Sequence, residues 1–415
     1  MKIDYSIPES SKYYLCLDAQ FRWGVRNIFI SLSNQLALSL PERVFHMVIG
    51  LVELIPGLGL GVGLIDRVLQ GRVQVLELDQ NDPYARGMAH GVALKNEIHF
   101  IYNCVNRIID AKMRSDEDKR NFQSAIDRIQ QGMPLHLITE MQGIAQGAEV
   151  GMDEVFRMHA FLDIYAGQFG CSTLATVQKE NEEIKKVIST NHFQSEAGAG
   201  TCERFKKLQN TDYESTIDSH KNAMKDVSID ETILSVVFNC NQNEIEVANS
   251  WQQTAKTFYS YFSFFDMPQK QNNEPEVLLS ANLDWPWPVL APYIVLIKYN
   301  PIDVDVDGNS VHKEGFVNIT FPGYIGVLRG MNEHGVALAN CQSGSSKKTN
   351  GLPITFVFRT MIETAKSVES AKKVLKTLTP ASSMNLTIAG KDGACVVEID
   401  PNMQETGYSA EISPT

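Results

Sequence analysis

The chain has 415 residues, 43% of them hydrophobic and 21% charged, and a formal net charge of −12. That length accommodates one large domain or two ordinary ones, and the composition excludes a disordered or collagenous chain. The acidity argues against a nucleic-acid partner, because neutralising phosphates takes clustered Lys and Arg. The seven cysteines, at 16, 104, 171, 202, 240, 341 and 395, are odd in number and include no C-x-x-C pair, so reduced thiols are expected and neither a disulfide framework nor a metal site is.

At the start, Met1–Tyr5 is not a basic segment leading into an apolar run; no secretory signal is read, and a cytoplasmic protein is expected, although secretion without a cleaved signal fits the same residues. Residues 36–70 are strongly apolar, and Leu54–Ile65 carries no charge. A bilayer-spanning helix takes about 20 residues, and Pro56 with four glycines weakens any helix here. Two readings stay open: a buried helix pair covering the core, or a segment that makes peripheral membrane contact or holds an acyl chain. Residues 1–75 are treated as an N-terminal extension.

From Val92 to Ile109 and from Asp116 to Ala148 apolar residues recur three and four apart, as at Phe122, Ile126, Ile129 and Met133, which predicts amphipathic helices and a mainly helical region up to residue 165. After Phe169 short β-rich runs take over: 277–279, 294–299, 316–319, 325–329, 336–340, 385–389 and 394–399, with a helix over 354–378 between them. Helices beside many antiparallel strands predict a layered α+β fold. The polar stretches 177–186 and 266–276 are candidate linkers. Arg329–Val336 predicts a hairpin in which Asn332 and Gly335 suit positive φ, and His334 is read as a turn residue without chemistry.

Cys171 follows Gly170, whose missing side chain lets another group approach the backbone, and precedes Ser172 and Thr173 at a strand start. A thiol beside its own preceding carbonyl can attack it, convert the peptide to a thioester and let water release residue 171 as a new N-terminus. The freed amine, with a pKa of about 7.7–8, is then a suitable base for the thiol. A papain-type arrangement is disfavoured, since none of the nine histidines lies in a recognisable partner motif.

Several motifs then converge. Pro83-Tyr84-Ala85-Arg86-Gly87 with His90-Gly91, Gly143-Ile144-Ala145-Gln146-Gly147, Gly170-Cys171-Ser172-Thr173, Asn282-Leu283-Asp284-Trp285, Gly330–Gly335 and Ser383–Ile388 together resemble the N-terminal nucleophile (Ntn) hydrolases of the peptidase C45 group, the acyl-CoA:6-aminopenicillanate acyltransferase-like proteins. Choloylglycine hydrolases and penicillin V acylases are more distant relatives. The resemblance spans most of residues 75–415 and implies a four-layer αββα sandwich over 171–415, preceded by a helical pro-segment, 76–170. It implies autocatalytic cleavage between Gly170 and Cys171, α and β chains that remain associated, and cleavage or transfer of an acyl group at a C–N bond through a Cys171 thioester. The substrate would be a small amide or acyl compound with an apolar acyl chain; no cofactor is implied, with acyl-CoA a candidate acyl donor. The implied catalytic set is Cys171; Asp284, holding the amine; Asn191, from Thr190-Asn191-His192-Phe193, donating to the oxyanion; and Arg204, from Cys202-Glu203-Arg204-Phe205. Gln342, Asn385 and Asn282 are further oxyanion or pocket candidates.

Two features depart from the pattern. The bile-salt-type R-N-x-D strand reads Ala281-Asn282-Leu283-Asp284 here, without its Arg. The block 181–270, which carries Asn191 and Arg204, precedes the N-x-D strand instead of closing the chain. The fold is expected to survive, with the block beside 394–399 and Asn191 close to Cys171. Two other functions stay open: a membrane-associated thiol lipase or phospholipase-like hydrolase, and an inactive binding protein of the same fold.

Overall fold

The computed structural model describes residues 73–113, 115–164, 170–179, 182–191, 202–249, 259–265, 276–285, 288–304, 310–343, 351–400 and 407–412. The apolar segment 36–70, Gln168-Phe169 and His192-Phe193 lie outside the described residues. Helices and sheets are mixed, and the fold is α+β.

After a first strand, β1 (Gln74–Leu78), come five helices. Helix α1 (Pro83–Ala93) starts where local chemistry dictates: the Asp82 side chain accepts from Ala85 N at 2.6 Å, and Pro83 occupies the first turn, where no amide donor is needed. Next are α2 (Lys95–Lys112) and α3 (Asp116–Gly132), the latter opened by a Ser115/Asp118 capping box. The helical periodicity read over 116–148 is divided at Pro134, after which α4 (Leu135–Ala148) begins; α5 (Met152–Ile164) follows.

Glycines let α1 and α4 pack backbone to backbone. A Cβ on Gly87 would lie 1.9 Å from Glu140 O, and one on Gly143 would lie 2.1 Å from Tyr84 O. This close approach buries Glu140 beside Arg86, whose Nη2 lies 2.8 Å from Glu140 Oε2. Arg359, on α8 (Ile354–Ile362) far along the chain, reaches the same carboxylate oxygen at 3.3 Å. The helical region is further tied to the 321–325 loop by two buried histidines: His90 Nε2 accepts from Gly323 N, and His159 Nε2 from Ile325 N, each at 3.0 Å. Burial lowers both imidazoles to about 4, so they stay neutral and able to accept.

The strands form two main sheets. The six-stranded sheet has the order β3-β2-β7-β4-β5-β6, and the eight-stranded sheet β1-β8-β11-β12-β13-β14-β15-β16. In the first, β2 (Gly170–Gln178) lies between β3 (Lys185–Thr190) and β7 (Glu276–Asp284), antiparallel to both. On the far side of β7 come β4 (Thr232–Asn239), β5 (Glu244–Ala248) and β6 (Ser260–Ser263). In the second, β8 (Val295–Tyr299) pairs in parallel with β1 and antiparallel with β11 (Phe316–Thr320). The ladder continues through β12 (Arg329–Asn332), β13 (Ala337–Gln342), β14 (Met384–Gly390), β15 (Gly393–Ile399) and β16 (Gly407–Ile412). A separate hairpin joins β9 (Ile302–Val304) to β10 (Ser310–Lys313).

The two sheets meet through β2, β3 and β7 on one side and β13, β14 and β15 on the other. A hydrogen bond of 2.6 Å between Thr173 and Thr387 hydroxyls crosses that interface. Helices α6 (Glu203–Asn210) and α7 (Ile217–Asp226) pack on the six-stranded sheet, and α8 and α9 (Val368–Leu375) on the eight-stranded one.

The block 181–270 therefore contributes β3 to one flank of the six-stranded sheet and β4–β6 to the other. Part of it packs beside 394–399 as expected, β3 facing β15 from the opposite sheet, but it does not join that ladder, where β15 takes β16 as its outer partner. Three local expectations also change. The strand expected at 325–329 starts only at Arg329, because 321–328 is an irregular loop held by His159, Tyr102 and Arg359. The helix expected over 354–378 splits into α8 and α9, since Asn332 Nδ2 binds Ile362 O and Ala365 O and Ser367 begins a new capping box. Of the two turn residues, only Gly335 has positive φ (79°); Asn332 ends β12 and spends its amide on capping α8.

Candidate active site

Cys171 is the second residue of β2 and is 2% exposed. The ladder sets Cys171 opposite Leu283 and Gly170 opposite Asp284. Asn191 directly follows β3, which runs antiparallel to β2, and its Oδ1 accepts from Cys171 N at 2.7 Å. Arg204, near the start of α6, donates from Nη2 to the same Asn191 oxygen at 2.9 Å and pairs through Nη1 with Asp284 Oδ2. Thr232, at the start of β4, donates to Asp284 Oδ1 at 2.5 Å. Cys171, Asn191, Arg204 and Asp284, separated by up to 113 positions in the chain, thus form one hydrogen-bonded constellation.

The other candidates divide. Gln342 contributes its backbone: its carbonyl accepts from Asn191 Nδ2 at 2.8 Å, which engages the amide group expected to face an oxyanion. Asn385 Nδ2 donates to Thr190 O at 2.8 Å, bracing the end of β3 just before Asn191. The Asn282 side chain turns away: its Oδ1 accepts from Ser235 and its Nδ2 donates to Met224 O on α7, while its backbone carbonyl faces the Cys171 side and accepts from Arg329.

Arg329 is a site residue that the sequence motifs do not single out. It is fully buried at the start of β12, and its Nη2 lies 3.4 Å from Cys171 Sγ and 2.7 Å from Asn282 O. A cation from the opposite sheet thus stands at the nucleophile of a chain that carries Ala281 where an R-N-x-D strand carries Arg. The available signal was an Arg closing the otherwise apolar, strand-like run 325–329. Cys341, on β13, is likewise absent from the motifs. Its single thiol proton has two alternative acceptors, Ser189 O at 3.6 Å and the neighbouring Cys171 sulfur.

These neighbours determine the thiol's character. The hydrogen bond from Cys341, with the Arg329 guanidinium behind it, outweighs burial and the Asp284 charge and lowers Cys171 to about 6. Cys341 moves the other way, pushed up by burial and by the neighbouring Cys171. Burial pushes the Asp284 carboxyl up, while Arg204 and Thr232 work to keep it ionised. Arg204 is raised despite its own burial, chiefly by the charge of Asp284. Two guanidiniums against one carboxylate leave a positive excess, which suits a thiolate or an oxyanion.

Fold and site together define an α+β protein built around a buried, activated cysteine. The model of the acyl-coenzyme A:6-aminopenicillanic acid acyl-transferase family matches residues 272–411, and over that segment the chain is acyltransferase-like. The matched segment holds Asp284, Arg329 and Cys341, whereas Cys171, Asn191 and Arg204 precede it. A search of curated proteins finds no match.

Proposed function

We propose that the protein is a self-processing cysteine acyltransferase or amide hydrolase of the Ntn type, with an αββα architecture, in which Cys171 is the nucleophile. The observation that carries this reading is the 2.7 Å hydrogen bond from Cys171 N to Asn191 Oδ1. That nitrogen is the atom that cleavage would turn into the N-terminal amine, and it is already held by a charged and hydrogen-bonded network.

The first reaction is intramolecular. Cys171 Sγ attacks the Gly170 carbonyl carbon, the peptide C–N bond gives way to a thioester, and the departing nitrogen takes a proton to become the Cys171 amine. Water then hydrolyses the thioester, leaving a Gly170 carboxylate and a free thiol. A nucleophile that is 2% exposed is compatible with this step, which needs no substrate entry.

In the mature enzyme the amine accepts the thiol proton, and the thiolate forms an acyl-thioester with substrate while the leaving amine is protonated. Water or an acceptor amine then takes the acyl group. Asp284 steadies the charged amine; Arg204 fixes Asn191 and Asp284 relative to each other; Arg329 favours the thiolate. Release of Asn191 Nδ2 from Gln342 O would supply an oxyanion donor, of the kind worth roughly 3 kcal/mol.

An apolar acyl group is the favoured cargo. Trp285 and Leu328, adjacent in sequence to Asp284 and Arg329, border an apolar cleft with Met158, Phe161 and Phe321 whose free volume is only about 10 Å³, so these side chains would have to part to admit an acyl chain. Acyl-CoA is a candidate donor. The Arg86–Glu140–Arg359 network supports continued association of the two chains after cleavage.

Mass spectrometry of the freshly purified protein tests the reading: fragments beginning at Met1 and Cys171 are expected, and Cys171→Ala should abolish both cleavage and turnover. Turnover retained in that variant would overturn it. An intact, inactive wild-type chain would favour the binding-protein reading, and turnover of esters without amides the lipase reading.

A further inference from the structure

A second cluster of chemically capable side chains lies apart from Cys171, where the β9–β10 hairpin meets the turn between β12 and β13. Glu314 follows β10, and its side chain is only 2% exposed. Its two carboxylate oxygens are each faced by an imidazole: His312 Nε2 lies 2.9 Å from Oε1, and His334 Nε2 lies 2.7 Å from Oε2. Glu333 lies alongside, and the ligand atoms of Glu314, Glu333 and His334 are all within 4.8 Å of one another.

We infer that His312, Glu314, Glu333 and His334 form a binding site for a divalent transition-metal ion of the zinc type. Two imidazole nitrogens with carboxylate oxygens are the donors such an ion takes. Tetrahedral bonds of about 2.0–2.2 Å set ligand atoms about 3.4 Å apart, so an ion would open the 2.7 and 2.9 Å contacts of Glu314 with His334 and His312 and draw Glu333 inward. His312 stands outside the group of ligand atoms that lie within 4.8 Å of one another, so its 52% exposed ring must swing toward Glu333 and His334 to complete the set.

Two further features support the assignment. His312 Nδ1 lies 3.0 Å from Asp303 Oδ1, so a carboxylate orients the ring while Nε2 points into the cluster. This carboxylate–imidazole relay is the usual outer support of a metal-bound histidine. The backbone carrying the ligands is also fixed. Gly315 N donates to Glu333 Oε1 at 2.7 Å, Glu333 N to Gly315 O at 2.9 Å, Glu314 N to Glu363 O at 2.7 Å, and His334 N to Asn332 Oδ1 at 3.1 Å. Asp303, Glu314 and Glu333 supply three carboxylates around the position, which outweighs the charge of a divalent cation once Lys366 has left it.

Lys366 competes for the position: its Nζ lies 3.3 Å from Glu314 Oε1, on a side chain that is 58% exposed. An ion would displace it into solvent. The bound ion would clamp the β9–β10 hairpin to the end of β12, the strand that starts with Arg329.

The test uses the full-length protein, stripped with a chelator and titrated with Co²⁺, whose tetrahedral complexes absorb strongly in the visible, and then with Zn²⁺. A saturable Co²⁺ band displaced by Zn²⁺, and a Tm raised by Zn²⁺, are expected. His312→Ala and His334→Ala should each weaken binding by roughly ten-fold or more, the double variant should remove the band, and Lys366→Ala should tighten binding. The two histidines are partly exposed, so circular dichroism of the variants should be unchanged. Absence of a saturable band in the wild type, or a band that persists in the double variant, would overturn the assignment.

Discussion

Arg329, from the eight-stranded sheet, holds its guanidinium 3.4 Å from the sulfur of Cys171, from the six-stranded sheet. The contact makes thiol reactivity depend on how the two sheets meet. Replacing Arg329 by Gln removes the positive charge that favours the thiolate. The Cys171 thiol should become a weaker acid by about ten-fold, or about 1.4 kcal/mol. Ultraviolet thiolate absorbance followed against pH, with alkylation rates at neutral pH, would check this; an unchanged titration would show that Arg329 serves only packing.

Cys341 gives a second, separable prediction. Its hydrogen bond is the largest influence lowering the Cys171 thiol to about 6. In Cys341→Ala the acid limb of Cys171 alkylation should move to higher pH, and the variant should be less reactive at pH 6–7, the range over which the wild-type thiol passes from about half to mostly thiolate. Because Cys341 is fully buried on β13, the substitution also leaves a small void, costing on the order of 1 kcal/mol. The alkylation profile separates that loss from the electronic effect.

The pairing of Arg204 with Asp284 concerns stability as well as catalysis. The Asp284 side chain is 2% exposed and the Arg204 side chain 22%. Arg204→Met should leave a buried carboxylate short of its cation and destabilise by about 3 kcal/mol or more. Adding Asp284→Asn removes the orphaned charge, so the double variant should unfold at higher denaturant than Arg204→Met alone while remaining inactive. Strict additivity in the urea midpoints would count against direct coupling. Thr232→Val, which loses the 2.5 Å hydrogen bond to Asp284, should cost about 1–3 kcal/mol.

These pairs also show what could be read from the chain alone. Strands such as 385–389 and 394–399 were legible because apolar runs bounded by turn residues report burial on both faces, and the observed β14 and β15 extend them by only a few residues. Cys171, Asp284, Asn191 and Arg204 were singled out through motifs, and the structure brings them together. The displaced block obscured how this happens: β3 and β4 flank the β2–β7 pair, which linear order does not reveal. Arg329 and Cys341 were hidden for a different reason. Each acts across the interface between two sheets, and no local periodicity encodes which residue of one sheet lies over which residue of the other. The Asn282 side chain shows the reverse case, since strand alternation turns it toward α7 while its carbonyl stays at the site.

The attachment of the helical region to the 321–325 loop should be acid-sensitive. His90 and His159 are fully buried, lowered to about 4 in the fold, and each uses a neutral ring nitrogen to accept a loop amide. An unfolded histidine titrates near 6.5. Because the folded values are depressed, the unfolded chain binds more protons below 6.5, and stability falls as pH falls. The histidine contribution is therefore intact above about pH 6.5 and is lost progressively toward pH 4; each ring gives up about 1.4 kcal/mol for every ten-fold by which the unfolded chain binds its proton more tightly. Glutamine keeps a side-chain acceptor but does not titrate in this range. His90→Gln combined with His159→Gln should thus flatten the urea midpoint between pH 6.5 and 4, even with lower stability at pH 7. His220, also buried and lowered to about 3 among Thr176 and Ser280, would keep part of the slope. An undiminished slope in the double variant would assign the acid sensitivity to other groups.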